Sequence, residues 1–171
     1  MWFGIPWWPA SWRPMTPRLR LHLTDPDSLP LSRPRIRRLL LASLDAACQS
    51  AEITVATVGR AQGRQLNRDH RGQDHATNIL TFALEPLPHL QADLVLCMPV
   101  VAAEARQQGK PLVHHLAHLL VHGALHACGL DHQGDDEAED MEALERRILT
   151  RFRIPDPYGT LSPVATSHAP A

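Results

Sequence analysis

Cysteine is scarce in this chain. The three present in 171 residues, Cys48, Cys97 and Cys128, are odd in number and scattered. That excludes a disulfide scaffold and points to a reducing, cytoplasmic compartment. A domain of this length buries roughly 70% of its unfolded surface without such staples. Long apolar runs are missing too: none approaches the ~18 residues a membrane-spanning helix needs, so no membrane role is expected. Lysine is nearly absent, with Lys110 the single example beside sixteen arginines. Arginine suits bidentate contacts to phosphate, although codon bias explains the excess equally well. The net charge of −1 does not by itself suggest a nucleic-acid binder, but it is unevenly spread. A +4 segment ending at Lys110 precedes a −5 segment.

The start of the chain lacks a basic segment followed by an apolar helix, so it does not read as a signal peptide. Residues 1–16 hold all four tryptophans, Phe3 and repeated prolines, which defeat a helix. They are expected to form a disordered extension, with Met15 a possible true initiator and an aromatic docking arm the alternative. Residues 155–171, rich in Pro, Ser and Ala, are expected to be a flexible tail. Between them, residues 17–154 read as one α+β domain, a small mixed sheet of about four strands packed with about five helices. Strands are predicted over Arg18–Leu23, Glu52–Val58, Thr77–Leu84 and Asp93–Met98 from alternation and β-branched content. The apolar Leu94-Val95-Leu96-Cys97 run should lie centrally. Helices are predicted over Ser32–Gln49, Ala61–Asp69, Pro99–Gln108, Pro111–Cys128 and Asp135–Phe152.

Histidine is what the chain does have. Six of its 11, His114, His115, His118, His122, His126 and His132, fall within nineteen residues. His122 and His126 are four apart, so they project from one helical face a turn apart. Gly129 stops the helix, and His132 arrives from the following turn. Two imidazoles on a helix and a third from a turn can converge on one tetrahedral cation with an open fourth position, the pattern of a catalytic zinc. One Zn2+ per chain, held by His122, His126 and His132, is the expectation. His118, a turn earlier, and Asp131, beside a ligand, are candidates to brace the imidazoles, although His118 could be a packed core residue and Asp131 a turn cap. His114 and His115 are expected to be solvated, and Cys128 to be core.

The spacing is that of an extended metalloprotease motif, but a glutamate acting as general base should follow the first histidine. Here that position is Gly123, so a peptidase would need its base from elsewhere. In the polar loop near Arg71–Gly72, Asn67, Arg68, Asp69, Arg71 and Asp74 could face a phosphate, or could simply pair with one another on a solvated surface.

The series His122-Gly-x-Leu-His126-x-x-Gly-x-Asp-His132 resembles the signature of the YbeY endoribonucleases, bacterial factors of ribosomal RNA maturation. Leu66-Asn-Arg-Asp-His-Arg-Gly72 with Thr77-Asn-Ile-Leu-Thr-Phe82 resembles that family's other signature. Ala92 to Cys97, Met141, Glu142 and the Asp156-Pro157-Tyr158 ending also fit, with Leu130, Ala83 and Ala92 as local departures. The resemblance covers about residues 17–158. It implies an α+β fold, a zinc on the three histidines and cleavage of single-stranded RNA in rRNA maturation, at the 3′ end of the small-subunit rRNA, and in ribosome quality control. It further implies Arg71 as the catalytic arginine beside the metal, and the ribosomal small subunit with its associated factors as partners. Two other classes stay open: a metal-dependent hydrolase of another substrate, and a non-catalytic ribosome-assembly factor with structural zinc.

Overall fold

The computed structural model of the protein describes residues 16–130 and 135–159. The Trp-rich start, residues 131–134 with Asp131 and His132, and residues 160–171 lie outside the described residues, as do the expectations placed on them. Four strands form one sheet: β1 (Arg18–Leu23), β2 (Ser50–Val58), β3 (Ile79–Glu85) and β4 (His89–Cys97). Their spatial order is β1-β2-β4-β3. β1 and β4 both run parallel to β2, while β3 pairs antiparallel with β4 as the edge. The helices are α1 (Arg33–Ser43), α2 (Arg60–Arg71), α3 (Met98–Gln107), α4 (Leu112–Ala127) and α5 (Asp135–Arg151). Among the described residues the architecture is therefore α+β, with a small mixed sheet and five α-helices. Among the described residues, no helix is long and apolar enough to cross a membrane.

Alternation decides which face is covered. Leu19 and Leu21, Ala51, Ile53 and Val55, and Leu90, Ala92, Leu94 and Leu96 are buried on successive strands. They form one core with Ile36, Leu39 and Leu40 of α1, the apolar side of α4, and Met141, Ile148 and Leu149 of α5. α2 meets the end of β4 and β2: a Cβ on Gly63 would sit 3.2 Å from Cys97 Sγ and 3.6 Å from Val58. β4, predicted central, lies between β2 and β3.

Boundaries differ from the sequence reading, β4 beginning at His89 rather than Asp93, and the end of α1 differs for a local reason. α1 stops at Ser43, not Gln49, because Leu44 is extended and the Asp45 side chain accepts the Ala47 N–H at 2.7 Å. That local turn competes with another helical turn and starts β2 earlier. Within residues 155–159, Tyr158 N–H donates to Asp156 Oδ1 at 2.9 Å, and Lys110 Nζ donates to the Pro157 carbonyl.

Candidate metal centre

α4 is the most apolar helix, and ten of its residues are buried. It packs against α1, β3, α5 and α3, so its one polar flank is fixed in direction. That flank carries His115, His118, His122 and His126 at helical spacing. The ring centroids of successive pairs are 6.5, 6.1 and 4.5 Å apart, His122 and His126 being closest.

Gly123 explains why a protease glutamate is missing beside His122. A Cβ there would lie 2.8 Å from Ile79 Cδ1 and 3.1 Å from both Leu94 Cδ2 and Thr81 Oγ1. Glycine lets α4 approach the sheet closely, and no larger residue fits without displacing β3 and β4 side chains. The general base of a metallopeptidase has no room at this position.

The structure adds a carboxylate that the sequence reading passed over. Glu145 of α5 is fully buried. Its Oε1 accepts from His122 Nδ1 at 2.7 Å, and its Oε2 accepts from His118 Nε2 at 2.9 Å and from the Tyr158 hydroxyl. Burial pushes the Glu145 carboxyl up, but hydrogen bonds from His118, His122 and Tyr158 outweigh it and hold its pKa at about 2. Burial and then the carboxylate push the Tyr158 hydroxyl well above its ordinary range, so it stays a donor. Arg146 stacks 4.8 Å from the Tyr158 ring centroid and bonds Asp156 and Glu142, tying residues 155–159 to α5.

A signal for Glu145 existed. Met141, Glu145, Ile148 and Leu149 share one buried stripe of α5, and a charge on such a stripe requires partners. Tyr158 gave no comparable signal, because its role depends on the fold-back after α5.

His118, His122 and Glu145 bring ligand-type atoms within 4.8 Å of one another and could hold a metal ion. The donors fit such a group. With Glu145 engaging Nδ1 of His122, a cation would be met by Nε2, the bracing that metal-ligating histidines ordinarily have. His126 lies on the adjacent turn; His132 and Asp131 are outside the described residues. A cleft of about 390 Å³ borders the cluster, lined by Asn78, Glu104, His115, His118, His122 and Tyr158 among others.

His115 corrects an expectation. It is buried rather than solvated, and its Nε2 lies 2.9 Å from Glu104 Oε2, which also accepts from Asn78 Nδ2 at 2.9 Å. Packing of α4 against α3 draws this flank inward at its start.

Arg71 is the exposed last residue of α2, where Gly72 closes the helix in left-handed backbone (φ 68°). The buried Asn67 pins the following loop by donating to the His75 carbonyl at 2.8 Å. Asp74 is engaged by Arg64 and Arg68, and Asp69 by Arg68. The Arg64 guanidinium hydrogen-bonded to it holds the Asp74 carboxyl below its usual range. The loop acids are thus occupied without Arg71.

Comparison with known proteins shows the family. The family model described as Endoribonuclease YbeY matches residues 31–153. The chain belongs to the YbeY family. An Endoribonuclease YbeY of Aromatoleum aromaticum is 57% identical over 123 residues, 72% of this chain and 78% of its own length. That of Methylibium petroleiphilum is 49% identical over 149 residues, 85% and 98% of the respective chains. The solution structure of TM1509 from Thermotoga maritima shares the fold, with a TM-score of 0.51 at 20% identity over 82% of this chain and 99% of that one. For this YbeY family member, the histidine flank of α4 and the acidic residue beneath it include the His118, His122 and Glu145 cluster that could hold a metal ion.

Proposed function

We propose that the protein is a zinc-dependent endoribonuclease that cuts single-stranded RNA during ribosomal RNA maturation in the cytoplasm, acting with the ribosomal small subunit. The observation that carries this reading is the His122–Glu145 hydrogen bond beneath the paired rings of His122 and His126. Family membership supplies the substrate class, through relatives named as endoribonucleases.

His122, His126 and His132 would hold the zinc, which supplies Lewis-acid charge at the phosphoryl group and acidifies water. Glu145 fixes the His122 ring and, through His118 and Tyr158, keeps its own charge on the protein side. Arg71, exposed and outside the Asp69–Asp74 ion pairs, would bridge two non-bridging oxygens as negative charge spreads in the transition state. Lysine, a point charge, does this less well. The groups lining the cleft beside His122 orient the strand.

The test compares zinc-loaded protein on single-stranded RNA, duplex RNA and casein, with Arg71→Lys alongside. Single-stranded RNA should be the substrate cut. Arg71→Lys should keep its zinc and melting temperature yet lose about a hundred- to thousand-fold in rate, the cost of removing one preorganised donor. Casein cleavage would instead make the protein a peptidase-like hydrolase. Equal rates for wild type and Arg71→Lys at matched zinc would return Arg71 to a solvated surface role.

A further inference from the structure

A second charged feature lies at the far end of α5, away from the histidine flank. A groove of about 580 Å³ separates the first turns of α1 from the chain leaving α5. Arg35, Arg38, Arg151 and Arg153 line it, with Phe152 and Ser32 among its other walls and no acidic residue. The arginine ion pairs among the described residues fall elsewhere, on Arg20, Arg64, Arg68 and Arg146. Four like charges thus face one cavity without neutralisation, which repels internally and attracts a polyanion. Their α1 neighbours differ: Arg33 and Arg37 donate to the Leu21 and Leu19 carbonyls of β1 and serve the sheet edge.

The backbone supplies an independent observation. Among the described residues Arg153 is the one non-glycine with positive φ, at 58°. The reversal after α5 sends the Arg153 N–H to Thr150 O (3.0 Å) and the Ile154 N–H to Leu149 O (3.1 Å), which buries Ile154. Glycine or asparagine is the residue such a left-handed cap ordinarily takes. An arginine there sets its guanidinium in the groove against backbone preference, and a strained residue of this kind points to function. Phe152 adds an aromatic surface, with the Arg38 guanidinium 5.5 Å from its ring centroid. Cations interleaved with an aromatic ring are the composition of single-strand binding grooves.

The groove and the candidate metal centre also share a helix. Arg151 lies six residues beyond Glu145, roughly 9 Å along the α5 axis. We propose that this arginine groove docks the phosphate backbone of single-stranded RNA outside the cleavage site, holding the strand that the metal centre cuts. The identity of the polyanion rests on the endoribonuclease reading; the presence of a polyanion site does not.

The experiment follows binding of a labelled, uncleavable 2′-O-methyl oligoribonucleotide to the full, zinc-loaded chain by fluorescence anisotropy across a salt series. Replacing Arg35, Arg38, Arg151 and Arg153 together by Gln should weaken binding more than tenfold at low salt. The slope of log affinity against log salt should flatten by about 0.7 for each phosphate that is no longer neutralised. Arg20→Gln, which removes a paired arginine elsewhere, should change neither. Arg153→Gly is the sharper variant: it relieves the left-handed backbone, so the melting temperature should rise while RNA binding falls. Wild-type affinity and salt slope in both groove variants would overturn the proposal. So would displacement of the RNA by polyglutamate that binds more tightly than RNA, which would assign the groove to an acidic protein segment. Groove-dependent RNA binding by a protein that cuts no RNA would instead leave the groove standing and remove the proposed catalysis.

Discussion

Gly123 and Glu145 show how single positions shape the centre. Gly123→Ala would improve helix propensity by about 1 kcal/mol, but the added methyl meets Ile79, Leu94 and Thr81 at 2.8 to 3.1 Å. Overpacking of this kind costs about 1–3 kcal/mol, so a net loss of up to about 2 kcal/mol is expected in denaturant unfolding. A raised midpoint would mean that the helix can lift off the sheet freely. Glu145 makes a pH prediction. Its folded pKa of about 2 lies below the ordinary 4.5. Its contribution is therefore complete above pH 4.5 and is lost as pH falls toward 2, on the order of 3 kcal/mol at most. In chelator, Glu145→Gln should be less stable than wild type at neutral pH and show a flatter decline through that window. Parallel acid profiles would contradict the hydrogen-bond account.

The strap after α5 tests whether a supporting element reaches the centre. Tyr158→Phe removes one of two donors to Glu145 Oε2 and leaves the ring against His118 and Arg146. Loss of a partner bonded directly to a metal-ligating histidine typically weakens metal affinity about 10–100-fold; Tyr158 acts one bond further out, through Glu145, so a loss at or below the lower end of that range is expected. Chelator competition should show that loss with little change in the metal-free melting temperature; wild-type affinity would make Tyr158 only a wall of the cleft. Sequence pattern was informative where one element decides. The His122–His126 pair, the alternation of Leu19 and Leu21, and the central position of Leu94 could each be read from spacing. Where partners distant in sequence decide, it was not. Glu145 matters because α5 crosses α4, Tyr158 because the chain folds back, and His115 is buried because Glu104 of α3 meets it. The α1 terminus differs because Leu44 continues the apolar period while Asp45 closes a turn.

The molecule as a whole places its chemistry along α4 and α5, at the margin of a core covering one face of the sheet. The parallel β1–β2 and β2–β4 pairings require helical crossovers, and the antiparallel β3 edge is what α4 approaches through Gly123. Alternating and helical spacing together foretold the α+β class, but strand order depends on crossovers that local periodicity does not encode. The two charged features, an acid-braced histidine flank and an arginine groove, sit on this one frame. The decisive measurement is zinc content together with single-stranded RNA cleavage, wild type against His126→Ala. The wild type should carry about one zinc per chain and cut RNA, while His126→Ala loses both and keeps its fold by circular dichroism. Wild-type cleavage by a metal-free His126→Ala chain, or a variant that unfolds beside a wild type that cuts no RNA, would contradict a catalytic metal at this flank.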